Sequence, residues 1–134
     1  MRPPLLLAFL LIFAGCGQQG STEGVVVQYH QALGQGDGKR ALTMLTRATR
    51  EKLAAIAEAT SAASGGTVSP EPSRMIVQGD LSRYTTPDGG KAKLTTRYLE
   101  GDRSHAKVAV TIDGETFETA LVLEDGQWRI DLPL

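Results

Sequence analysis

Cysteine is almost missing from this chain. The single Cys16 in 134 residues excludes an intramolecular disulfide and a cysteine-based metal site. Histidine is nearly as scarce. His30 and His105 are the two present, neither has a second ligand-type residue at metal spacing, and there is no HExxH pair. An excess of one charge is lacking too: 14 basic against 15 acidic side chains leave a net charge of -1. A nucleic-acid partner is therefore not expected, since binding phosphates takes clustered, uncompensated Lys and Arg. No serine stands in a GxSxG elbow. The glycine-rich Gly34-Gln35-Gly36-Asp37-Gly38-Lys39 fails as a phosphate loop, because Leu33 stands where the first glycine belongs and Arg40 where Ser or Thr is needed. Neither a metal nor another cofactor is expected.

What is present begins with an address. Arg2 precedes an unbroken apolar run from Leu5 to Ala14, and small residues follow. This is the layout of a secretory signal, and it is too short for the roughly 20 residues that cross a bilayer. Phe13-Ala14-Gly15-Cys16 resembles the lipobox of bacterial lipoproteins, with Phe13 where Leu is more usual. That resemblance implies removal of residues 1–15, a diacylglyceryl thioether on Cys16, and attachment to a membrane. It implies an exported, membrane-anchored protein. Gly17 resembles the residue that directs sorting to the periplasmic face of the outer membrane in Gram-negative cells. Residues 16–21 would be the lipidated cysteine and a short tether, reaching no more than roughly 18 Å. Residues 22–134 would form one domain, with a composition (41% hydrophobic, 22% charged) ordinary for a globular fold.

The domain starts helical. Thr22 is placed to cap a helix running to about Leu33, with Val25, Val26, Tyr29, Ala32 and Leu33 on its apolar side. Asp37 is placed to cap a second, short helix whose buried side is Ala41, Leu42 and Leu45. A third is expected from Arg47 to Ala62, with Leu53, Ile56 and Ala57 as its stripe. From Ser61 to Ser73 no stripe can be drawn, which predicts a loose connection.

The period then changes from helical to alternating. Arg74 to Gln78 reads as a short strand, and Pro87-Asp88-Gly89-Gly90 as a turn. Strands are expected over Lys91–Glu100 (with Ala92, Leu94, Thr96 and Tyr98 on one face) and over Ser104–Ile112. Asp113-Gly114 and Asp125-Gly126 are two-residue hairpin signals. Pairing outward from the first sets Val110 opposite Phe117 and Ala106 opposite Leu121. Pairing outward from the second sets Leu123 opposite Trp128 and Leu121 opposite Ile130. Both registers gather the same apolar residues on one face and leave Glu118, Arg129 and Asp131 on the other, so a slip in either would break the agreement. Trp128 is expected to be largely buried.

The fold class that follows is α+β: N-terminal helices packed on a curved antiparallel sheet. Val25-Val26-Val27-Gln28-Tyr29-His30-Gln31-Ala32-Leu33, then Ala41-Leu42-Thr43-Met44-Leu45, and the ending Leu121-Val122-Leu123-Glu124-Asp125-Gly126-Gln127-Trp128-Arg129-Ile130 carry a resemblance. They resemble small bacterial lipoprotein domains with the nuclear transport factor 2-like (SnoaL-like, cystatin-like) cone. The resemblance implies a sheet curled around the helices over an apolar cavity. Some members of that superfamily use the cavity for isomerase or dehydratase chemistry; others bind or dimerise.

Two function classes compete. One is a non-enzymatic module of the cell envelope that binds a small apolar ligand or an envelope protein. The other is a small isomerase- or dehydratase-like enzyme with its active site in the cone. The second needs a carboxylate in an apolar pocket. The core face between Ala106 and Ile112, and between Phe117 and Leu123, carries none, which leaves Asp80 or Asp88 on unassigned loops, with Tyr84 or Tyr98 as a phenol. No catalytic residue is assigned. Candidate cavity residues are Tyr29, His30, Tyr98, Phe117 and Trp128, with His30 at the core edge and His105 in solvent. A second copy against the outer sheet face is the homodimer the fold resemblance allows. Charge is unevenly placed: Lys39, Arg40, Arg47, Arg50 and Lys52 face only Glu51, while residues 113–134 hold six carboxylates against Arg129. Such faces are ordinarily solvated; the functional alternative is docking to an envelope partner or to anionic lipid.

Overall fold

The computed structural model describes residues 21–78 and 93–134. The signal segment, Cys16, most of the tether, Asp80, Tyr84 and the 87–90 turn lie outside the described residues. Helices come first, then strands: α1 (Thr22–Gly34), α2 (Gly38–Thr43), α3 (Arg47–Ala63), α4 (Pro72–Gln78), then β1 (Leu94–Gly101), β2 (His105–Ile112), β3 (Glu115–Glu124) and β4 (Gln127–Asp131). The chain is an α+β domain whose four strands form one antiparallel meander in the order β1-β2-β3-β4. Among the described residues no helix is long and apolar enough to cross a membrane.

Each of the first three helices begins on a side-chain cap. Ser21, one residue before the expected Thr22, accepts from the Gly24 N–H at 2.9 Å. Asp37 accepts from the Arg40 N–H at 3.1 Å, and Thr46 from the Thr49 N–H at 3.2 Å. These bonds satisfy amide groups that the helix itself leaves without partners. α1 buries Val25, Val26, Tyr29, Ala32 and Leu33. In α3 the buried stripe is Thr49, Leu53 and Ala57, while Ile56 is exposed. A threonine replaces the expected isoleucine because its hydroxyl bonds inward, as described below.

The segment read as a strand, Arg74 to Gln78, is helical. Pro72 opens α4 at a position where its missing N–H costs nothing and its φ suits the helix. Ile76 is buried in the core, with Met75 and Val77 half-buried beside it. The stretch before it is less loose than expected: the Ser64 hydroxyl donates to Ser61 O at 2.9 Å and accepts from the Val68 N–H at 3.0 Å.

Both hairpin registers stand as read: Val110 pairs with Phe117, Ala106 with Leu121, Leu121 with Ile130 and Leu123 with Trp128. Asp113 and Asp125 have φ of 51° and 50°, followed by Gly114 and Gly126 at 84° and 76°. Two consecutive positive φ values match the right-handed twist of the flanking strands, which is why Asp-Gly recurs in such turns. Ala106, Val108, Val110, Ile112, Leu121 and Ile130 are all buried against α1 and the connector after α2. Each aliphatic side chain the size of Val or larger contributes about 1.5–3 kcal/mol by leaving water.

At its tip the β3–β4 hairpin outruns this cover. Leu123 is exposed, and Trp128 is partly buried, packed against the core's margin. Tyr98 is 46% exposed although it pairs with the fully buried Val108. A bulge at Leu99 shifts the register directly after Tyr98.

The outer edge of β4 is closed by the connector between α2 and α3. Leu45 makes a parallel bridge to Ile130, where Ile130 N–H donates to Met44 O at 2.7 Å and Thr46 N–H to Ile130 O at 2.9 Å. This contact sets α3 against the end of the sheet.

Candidate functional site

A cavity of about 240 Å³ lies between α1, α3, α4 and the β3–β4 end of the sheet. α1 contributes Tyr29, His30 and Leu33; Leu53 comes from α3, and Met75 and Ile76 from α4. Phe117 and Thr119 come from β3, Ile130 from β4, and Leu132 and Leu134 from the chain beyond it. Leu33 and Ile130 are fully buried and Leu134 is half-exposed, so the cavity runs from the core to the surface.

Three of the five candidate residues meet here. The His30 ring stands edge-on to Tyr29, with centroids 5.1 Å apart, and to Phe117 at 5.8 Å. Such T-shaped contacts set the positive edge of one ring against the electron-rich face of another. His30 is 5% exposed, so the imidazole belongs to the pocket wall and not to the surface. Tyr98 and Trp128 do not line it: they sit on β1 and near the free tip of the β3–β4 hairpin.

Thr119 is the polar residue that sequence reading passed over. It pairs with Val108, on the core face, and is 8% exposed. Its side-chain hydroxyl makes no hydrogen bond among the described residues. The signal was available, since pairing Ala106 with Leu121 and Val110 with Phe117 forces Val108 opposite Thr119. Met75 and Ile76 had no such signal once α4 was taken for a strand.

Thr119, Phe117 and Leu132 also border a second cavity of about 540 Å³, which reaches Lys107, Glu118 and Asp131 on the outer sheet face. The two adjoin because β4 ends at Asp131. Leu132 N–H turns away to the Thr49 hydroxyl at 3.1 Å and does not continue the ladder along β3.

The remaining polar clusters are surface features. The Ser104 hydroxyl is 2.9 Å from His105 Nδ1, and Asp102 Oδ1 is 3.8 Å from that same nitrogen. A nucleophile and an orienting carboxylate on one ring nitrogen cannot work as a triad, which needs them on opposite nitrogens. Asp102 itself serves the β1–β2 turn. The backbone N–H groups of Ser104 (2.8 Å) and His105 (2.9 Å) donate to it and hold its carboxyl below the usual range. No group of three His, Cys, Asp or Glu that could hold a metal exists among the described residues.

The uneven charge is partly resolved within the fold. α3 has no acidic residue in its first turn, but Glu124 Oε1 accepts from the Arg47 N–H at 3.2 Å, and Asp131 lies against Thr46 and Thr49. Two carboxylates of the sheet therefore serve the positive end of the helix. The side chains of Arg47, Arg50 and Lys52 remain exposed.

No family model matches the chain, and no curated protein or solved structure matches it.

Proposed function

We propose that this is a lipid-anchored protein of the cell envelope whose domain, a nuclear transport factor 2-like cone, binds a small apolar molecule without transforming it. The observation that carries the reading is the cavity enclosed by Tyr29, His30 and Phe117 with aliphatic walls. Concave, mostly apolar sites with a few polar groups are what small ligands occupy. At about 240 Å³ it is small for such a site. A cavity of about 150 Å³ with similar lining accommodates benzene. The ligand is accordingly a molecule of about six to ten heavy atoms.

The binding role is preferred over an isomerase-like one by the chemistry of the wall. Its polar side chains are a phenol, an imidazole and a hydroxyl, and no Asp or Glu among the described residues lines it. The anchor rests on the apolar run Leu5–Ala14 ending at Cys16. Two or more acyl chains hold a protein stably where one does not.

Two experiments test the two halves. Growth with labelled palmitate should label the protein and retain it with membranes; Cys16→Ser should leave it unlabelled, and a soluble, unlabelled wild type would refute the anchor. Titration with toluene, followed by chemical shifts, should perturb Tyr29, His30 and Phe117, and Leu53→Trp should block the effect. Unchanged shifts at saturating toluene would refute the pocket.

A further inference from the structure

We infer that the ligand is an amphiphile with one uncharged hydrogen-bonding group, an alcohol or carbonyl, which meets the Thr119 hydroxyl while its apolar body fills the cavity under His30 and Phe117. This rests on the binding role proposed above and specifies the ligand's chemistry. Thr119 is more than nine-tenths buried, borders both cavities, and its hydroxyl has no hydrogen-bond partner among the described residues. No buried side-chain N or O among the described residues lacks a hydrogen-bond partner, so this hydroxyl is not sealed in the core and stays reachable from the cavities that Thr119 borders. A ligand group at hydrogen-bond distance would satisfy the hydroxyl.

The charge of that group follows from what surrounds the junction. Glu118 and Asp131 border the outer cavity with Lys107, whose ammonium is already 3.6 Å from Glu100. A carboxylate head would meet two like charges and one cation that is already paired, so a fatty or aromatic acid fits poorly. A cationic head is disfavoured from the inner side, where the walls are apolar and desolvate it. An uncharged hydroxyl or carbonyl avoids both.

The test compares toluene, benzyl alcohol and benzoate on the wild type, Thr119→Val and Thr119→Ser. Thr119→Val should weaken benzyl alcohol about fivefold, as loss of one neutral hydrogen bond does, and leave toluene unchanged. Thr119→Ser should restore the alcohol. Benzoate should bind more weakly than benzyl alcohol throughout. Equal effects of Thr119→Val on toluene and benzyl alcohol, or no effect on either, would overturn this inference and leave the apolar pocket standing. So would benzoate as the tightest probe. Wild-type protein that binds none of the three would overturn the pocket itself. Thermal unfolding of each variant shows whether altered binding reflects altered folding, and Thr119→Ala, which also lacks the hydroxyl, carries the same comparison of benzyl alcohol with toluene if the valine variant does not fold.

Discussion

Thr46 Oγ1 lies 2.9 Å from Asp131 Oδ1, across 85 positions of chain. The same hydroxyl accepts from the Thr49 N–H and lies 2.9 Å from Thr49 Oγ1, which is 3.3 Å from Asp131 Oδ1 and accepts from the Leu132 N–H. One carboxylate and two threonines thus join the first turn of α3 to the end of β4. This junction also turns Leu132 away from β3 and so opens the cavity toward the outer face.

Asp131→Ala should therefore lower stability by about 1–3 kcal/mol, because it removes the acceptor that two buried threonine hydroxyls share. Asp131→Asn should cost less, since the amide oxygen still accepts. Urea unfolding of both variants measures this; equal and negligible losses would show that the junction does not hold α3.

Gly38 is a close approach between helices. A Cβ there would stand 1.8 Å from the Ser73 backbone oxygen and 3.0 Å from Val77. Gly38→Ala should cost about 1–3 kcal/mol through overpacking, despite alanine's better helix propensity. Thermal denaturation should register a fall; a rise would mean that α4 yields freely.

Trp128 reports the margin of the core. Its emission should fall between those of a buried tryptophan and free indole. Trp128→Ala should cost about 2 kcal/mol, below the 3–5 of a fully buried aromatic. A fully blue-shifted spectrum would contradict the partial cover seen here.

Asp102 should titrate below an aspartate in an unstructured peptide, because the Ser104 and His105 N–H groups favour its charged form. With the folded value below the unfolded one, its support of the β1–β2 turn is present above the unfolded value. That support is lost as pH falls through the folded one. Carboxyl NMR shifts against pH give the midpoint, and a value at or above the peptide's would exclude those donors.

Much of the architecture was legible because its signals are local. Asp113-Gly114 and Asp125-Gly126 dictate their own turns, and alternation over β2, β3 and β4 permits one register that keeps the apolar set together. Asp37 announces a helix start within three residues of the amide it binds. The first helix begins on Ser21 and not on the expected Thr22, and the Thr46 cap of the third was not read. Arg74 to Gln78 was not legible in this way. A short run of Met, Ile and Val suits a strand or a buried helix equally, and periodicity cannot separate the two at that length. Asp131 read as a solvent-face carboxylate, since nothing in its own strand reveals two threonines arriving from Thr46 and Thr49.

The candidate site divides along the same line. Sequence by itself determined which residues share the core face: Tyr29 on α1, Phe117 and, by the register, Thr119 on β3. Only the tertiary structure decided that these enclose a space, because a void depends on where elements stop short of one another. β4 ends at Asp131, Leu132 turns to Thr49, and α4 lays Met75 and Ile76 over the gap. Each of those contacts links segments far apart in the chain, so no local pattern encodes the cavity.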